Sequence, residues 1–142
     1  MKKLSLKECK KRCAELWDWL ADNPGNTKNK WPEWEYNGGK YSMVINRCFA
    51  CEYTLPKPKY IDDFDKINCK KCFLLGLWFN DKIPKNIDFD NYTPCEEARN
   101  SPYKLYKNFG VQNVMMNLEN TKNAEKECSY YARKIADYCK KH

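Results

Sequence analysis

Cys48-Phe49-Ala50-Cys51 is followed, after residues 52–68, by Cys69-Lys70-Lys71-Cys72, giving the pattern C-x2-C-x17-C-x2-C. Four thiolates at this spacing can close a tetrahedron around one zinc ion. Each two-residue gap lets a tight knuckle aim both sulfurs at one point, and the longer segment folds back to join the pairs. A closed all-thiolate site leaves no coordination position for water, so the expected Zn2+ is structural, with Cys48, Cys51, Cys69 and Cys72 as its ligands. Cys95 is either a substitute for one of these ligands or a free buried thiol: Thr93-Pro94-Cys95-Glu96 reads as a capped helix start, where a thiolate is electrostatically favoured. A single CxxC can also be a redox dithiol, but two pairs at zinc spacing favour the metal.

Working outward from the cysteine frame, Asn37-Gly38-Gly39 signals a turn, and Tyr41–Asn46 reads as a short strand entering the first knuckle. Residues 52–68 hold Pro56, Pro58 and an acidic run at 62–65, which fits a surface excursion between the ligand pairs. The second knuckle runs into Phe73–Phe79, the most apolar segment of the chain.

The ends of the chain predict helices. Over 6–22, Leu6, Cys9, Cys13, Leu16, Trp17 and Leu20 recur at helical spacing, with a Ser5/Glu8 capping box before them and Pro24-Gly25 after. Over 122–141, Ala124, Cys128, Tyr131, Ile135, Tyr138 and Cys139 share one face. The two stripes are expected to pack together. Cys9, Cys13, Cys128 and Cys139 then read as small core hydrophobes, with a second metal site bridging the helices as the alternative. Short helices are expected from Thr93 and, after a break at Ser101-Pro102, around Tyr103–Tyr106. The fold class predicted is α-rich α+β: a zinc-knuckle, zinc-ribbon-like centre packed on an antiparallel pair of terminal helices, in one domain over 1–142.

Composition excludes several functions. The only histidine is His142, so a catalytic zinc with His ligands, an HNH-type nuclease and a Ser-His-Asp hydrolase all lack a residue they need. The deaminase signature is incomplete at Pro94-Cys95-Glu96-Glu97, and no Gly-rich phosphate loop is present. An enzyme is therefore not expected. The amino terminus, MKKLSLKECKKRC, has no apolar core of a signal peptide, and no apolar run is long enough to span a membrane, so a cytoplasmic protein is expected. Nine cysteines in a reducing compartment read as metal ligands and core thiols rather than disulfides.

The formal charge of +7 is spread along the chain, its densest runs being Lys10-Lys11-Arg12, Lys70-Lys71 and Lys140-Lys141. A mildly basic surface fits an anionic partner, a nucleotide or nucleic acid. Its expected site uses Trp31, Trp34, Tyr36 and Tyr41 as stacking surfaces and Lys28, Lys30, Lys40, Lys70 and Lys71 as phosphate contacts. The plainer reading of the same residues is core aromatics with lysines reaching past them to solvent. A homodimer through Ile135, Tyr138 and Cys139 is also compatible with the stripe.

Cys48-Phe-Ala-Cys51-Glu52-Tyr53, Cys69-x-x-Cys72 with Leu77-Trp78 shortly after, Cys95, Ser101-Pro102-Tyr103 and Tyr131–Ala136 together resemble small cysteine-rich proteins encoded by phages and prophages. The resemblance spans about residues 48–136. Where those proteins usually carry proline after the second pair and tryptophan after the S-P-Y element, this chain has Phe73 and Tyr106. The resemblance implies a bound zinc and a phage accessory or counter-defence role inside the host cell, and it carries over no catalytic residue. Proteins of that kind often act by binding, which sets two expectations side by side: sequestration of an anionic nucleotide or nucleic acid, or inhibition of a host defence protein through an aromatic surface.

Overall fold

The computed structural model describes residues 4–42, 48–54, 68–107 and 121–141. Two long helices frame the chain, α1 (Leu6–Asp22) and α6 (Thr121–Lys141). Among the described residues four short ones lie between them: α2 (Phe49–Thr54), α3 (Leu75–Trp78), α4 (Pro94–Glu97) and α5 (Pro102–Leu105).

The Ser5 side chain caps α1 by accepting from the Glu8 N–H at 3.1 Å. Glu8 does not complete the capping box. Its carboxylate takes the Arg12 guanidinium at 2.9 Å, one turn on, and that hydrogen bond holds the Glu8 pKa below its usual range. The helix ends where Asn23 donates its side-chain amide to the Trp19 carbonyl, and Gly25 follows at a φ of 91°, the left-handed conformation that glycine tolerates.

The apolar stripes of α1 and α6 meet as their spacing predicts. Cys9, Cys13, Leu16, Trp17 and Leu20 are buried on one side, and Cys128, Ala132, Ile135, Ala136 and Cys139 on the other. The cross-links run in opposite order along the two helices, which makes the pair antiparallel. Cys13 meets Cys139, Asp18 accepts from Arg133 (2.5 Å) and Lys140 (2.7 Å), and the Ala21 carbonyl accepts from Ser129 (2.6 Å). Arg133 also bonds Asp22 at 2.6 Å, so one guanidinium bridges two carboxylates a helical turn apart. Arg133→Ala is expected to lower stability in urea denaturation by about 1 kcal/mol, the upper end for pairs this exposed. Ile135 and Cys139 are buried at this interface, although Cys139 also borders an open groove.

No strand occurs among the described residues, and the architecture is all-α rather than α+β. The β character expected at Tyr41–Asn46 reduces to one isolated bridge between Trp34 and Tyr41, and residues 43–47 of that strand lie outside the described residues. The bridge forms because the Asn37-Gly38-Gly39 turn returns the chain on itself. Gly38 sits at φ 92°, Tyr41 N–H donates to the Glu33 carbonyl and Glu35 N–H to the Tyr41 carbonyl, both at 2.8 Å. At Gly39 any side chain would collide with the Glu33 main chain. The zinc-ribbon-like centre is corrected likewise. Cys48-x-x-Cys51 occupies the start of α2, with Glu52 N–H bonded to the Cys48 carbonyl, and Cys69–Lys71 is a single 3-10 turn.

The aromatic loop is folded inward. Trp31 and Trp34 pack edge to face, Trp34 stacks on Phe49 with centroids 5.6 Å apart, and Trp31 stacks on Tyr41. The Trp34 indole N–H is satisfied by the Lys28 carbonyl at 2.8 Å, so burial of this ring leaves no orphaned donor.

A thiol-lined cavity and a basic groove

All nine cysteines are among the described residues and carry free thiols. Five of them, Cys48, Cys51, Cys69, Cys72 and Cys95, line a single cavity of about 30 Å³ walled off by Leu75, Trp78 and Pro94. The short elements bring them there. Cys48 immediately precedes α2 and Cys51 lies in its first turn, and Cys69 and Cys72 bracket the 3-10 turn that the Asn68 side chain caps. Cys95 lies in α4, which is held by burial of Pro94 and by a 2.6 Å bond from the Ser101 hydroxyl to the Cys95 carbonyl. Thr54 touches the cavity, but its hydroxyl already donates to the Cys51 carbonyl and accepts from the Asn68 N–H. The wall thus offers sulfur rather than hydrogen-bonding oxygen.

The thiols are not equivalent. Cys48 is held near pKa 6 by the Cys51 thiol hydrogen-bonded to it, against the opposing effect of burial and with help from the Lys28 ammonium and the main-chain N–H groups of Cys51 and Ala50. Cys51, the donor of that pair, is pushed up by the same hydrogen bond and by burial. Burial raises Cys69 and Cys72 and takes Cys95 to about 12. At Cys72 the Leu74 main-chain N–H and the Trp78 indole N–H bond the sulfur and work in the opposite direction. A thiolate-binding cation would displace protons from such a cluster on entry. The donor chemistry therefore fits zinc. Among the described residues no group of three or more His, Cys, Asp or Glu side chains stands in a ready metal-holding arrangement.

Glu52, next to Cys51, is buried, and its Oε2 has no hydrogen-bond partner among the described residues; burial and the nearby Cys48 sulfur raise its pKa.

The residues expected to bind an anion are placed differently from the expectation. Trp34 is fully buried, Trp31 is 2% exposed and Tyr41 is buried with them, so these rings are core and offer no open face to a base. Lys28 is turned inward over the rings of Tyr103 (4.3 Å) and Trp17 (5.6 Å). Burial opposes its charge, but Tyr103 and the Cys48 sulfur outweigh that and raise its pKa. Lys30, Lys70 and Lys71 are exposed. Lys40 is exposed beside Glu33 at 3.8 Å, and Tyr36, 55% exposed, spends its hydroxyl on the Asn29 carbonyl.

A different basic surface is present. Lys7, Lys10 and Lys11 of α1 and Lys140 and Lys141 of α6 line one open groove of about 580 Å³, with Ala14, Glu15, Asp18 and Cys139 completing its wall. Two of the three basic runs visible in the sequence meet here because the helices are antiparallel, which puts the start of α1 beside the end of α6. Arg12, from the same run, points elsewhere, to Glu8 and over the Tyr41 ring at 4.1 Å.

No helix among the described residues is long and apolar enough to cross a membrane. Neither a protein-family model, nor a curated protein, nor a solved structure matches this chain. What the geometry defines is a class: a small helical chain with a thiol-lined cavity at its centre and a basic groove between its terminal helices.

Proposed function

We propose that this chain is a non-catalytic binding protein for an anionic partner, a nucleotide or nucleic acid, held in shape by one structural Zn2+ in the five-cysteine cavity. Cys48, Cys51, Cys69 and Cys72 would hold the ion and Cys95 is the fifth sulfur beside it. The observation that carries the binding role is the meeting of Lys7, Lys10, Lys11, Lys140 and Lys141 in one groove. Its amines can reach phosphates, while Glu15 and Asp18 limit the net charge and disfavour indiscriminate binding. The cysteine frame's likeness to phage-encoded proteins supports a counter-defence role in the host cytoplasm.

Fluorescence anisotropy with a labelled single-stranded oligonucleotide tests it. Affinity is expected to fall on the order of 20-fold between roughly 50 and 200 mM salt, as about three phosphate contacts imply. Reversing two groove charges, Lys11→Glu with Lys141→Glu, is expected to abolish binding without changing the helical content. Absence of binding, or binding indifferent to both salt and charge reversal, contradicts the proposal.

One observation favours the second reading, an inhibitor or adaptor acting on a host protein. Tyr130 is 56% exposed on α6, packed against Tyr131 with Lys134 over its ring at 4.8 Å, and such aromatic patches anchor protein interfaces. That reading predicts a partner lost with Tyr130→Ala and retained at moderate salt.

A further inference from the structure

Cys13 of α1 and Cys139 of α6 face each other across the helix interface with their sulfurs 3.0 Å apart, although 126 positions separate them in sequence. A disulfide bond is about 2.05 Å long, so a movement of roughly 1 Å would join them. Cys13 is sealed in the core. Cys139 is 5% exposed and lines the basic groove, which gives it an approach from solvent that Cys9 and Cys128, both fully buried, lack. Lys140 and Lys141 flank Cys139 in sequence and line the same groove, with Lys7, Lys10 and Lys11 along its other side. A reagent carrying carboxylates is drawn to this sulfur. Neither thiol belongs to the set lining the zinc cavity.

We propose that Cys13 and Cys139 form a reversible disulfide, an oxidation-sensitive staple between the terminal helices, made by an anionic small-molecule disulfide that enters through the lysine groove. In the first step the Cys139 thiolate attacks one sulfur of that reagent. The reagent's S–S bond breaks, one small thiolate leaves, and a mixed disulfide remains on Cys139. In the second step Cys13 attacks the Cys139 sulfur, and the second small thiolate departs with the Cys13 proton. The two protein thiols lose two electrons and the reagent becomes two thiols. Cys13 is placed for the second role by its contact with Cys139; burial and that hydrogen bond raise its pKa, so its proton must pass to the departing thiolate as it attacks. The staple would fix the end of the bundle where the groove lysines sit, and dithiothreitol would undo it.

The test uses the full-length reduced chain with oxidised glutathione as the probe, followed by alkylation, digestion and mass spectrometry. The expected result is a Cys13–Cys139 linked peptide as the dominant cross-link, reversed by dithiothreitol, with a thermal midpoint raised by about 10 °C because a very long loop has been closed. Cys139→Ser is expected to lose both the linked peptide and the shift while keeping its helical circular dichroism. Should that variant fail to fold, peptide mapping of the wild-type chain decides alone. Recovery of both cysteines in alkylated form, a glutathione adduct that stays on Cys139 unresolved, or cross-links confined to the cavity cysteines would each overturn the proposal.

Discussion

If the proposed zinc site is right, Cys51→Ser and Cys69→Ser are each expected to lose the metal and, with it, most of the helical fold at room temperature. Structural zinc binding contributes about 10 kcal/mol or more of apparent free energy, comparable to the whole net stability of a chain this size. The short elements around the cavity cannot replace it. α3, α4 and α5 are four residues each, far below the length at which a helix holds itself together in water. Circular dichroism and metal content of the purified variants measure this directly. Cys95→Ser separates the fifth sulfur from the ligand set: it is expected to keep the metal and most of the stability. Cys9→Ala, outside the cavity, is expected to show only a modest packing loss. If Cys51→Ser or Cys69→Ser kept its fold and its thermal midpoint in chelator, the metal would play no structural part.

Trp34→Ala is expected to destabilise the chain by about 4 kcal/mol, the range for emptying a buried aromatic site. The ring is fully buried between Trp31 and Phe49, and its indole donor ties the aromatic loop to the Lys28 carbonyl. Loss of that tie should also disturb Lys28 and the thiol it faces, so the variant is expected to bind metal more weakly. Urea denaturation supplies the number. A variant with unchanged stability that no longer bound an anionic ligand would return Trp34 to a stacking role.

Helical periodicity made both terminal helices legible, with a cap marking the first, because a stripe at i, i+3 and i+4 has one stable use, to be buried against another. That also made their pairing legible, and with it the groove, had the basic runs at 10–12 and 140–141 been placed on the antiparallel pair. They are distant in sequence, and no local signal joins them. The aromatic loop was ambiguous for a different reason. Trp31, Trp34 and Tyr41 sit among Asn, Gly, Pro and Lys without periodicity, so only tertiary contacts decide whether such rings face a ligand or Phe49. For Cys95 the legible part was the helix start; its delivery to the cavity depends on the Ser101 hydroxyl bonded to its carbonyl and the burial of Pro94. The Glu8 capping box failed because Arg12, one turn away, offers the carboxylate a charged partner in place of a main-chain N–H.

Metal content of the reduced, purified chain tests the central claim most directly, by elemental analysis together with native mass spectrometry. The account predicts one zinc ion per chain, lost together with the folded signal on chelation. A metal-free chain that stays folded with its five cavity thiols open to titration would contradict it.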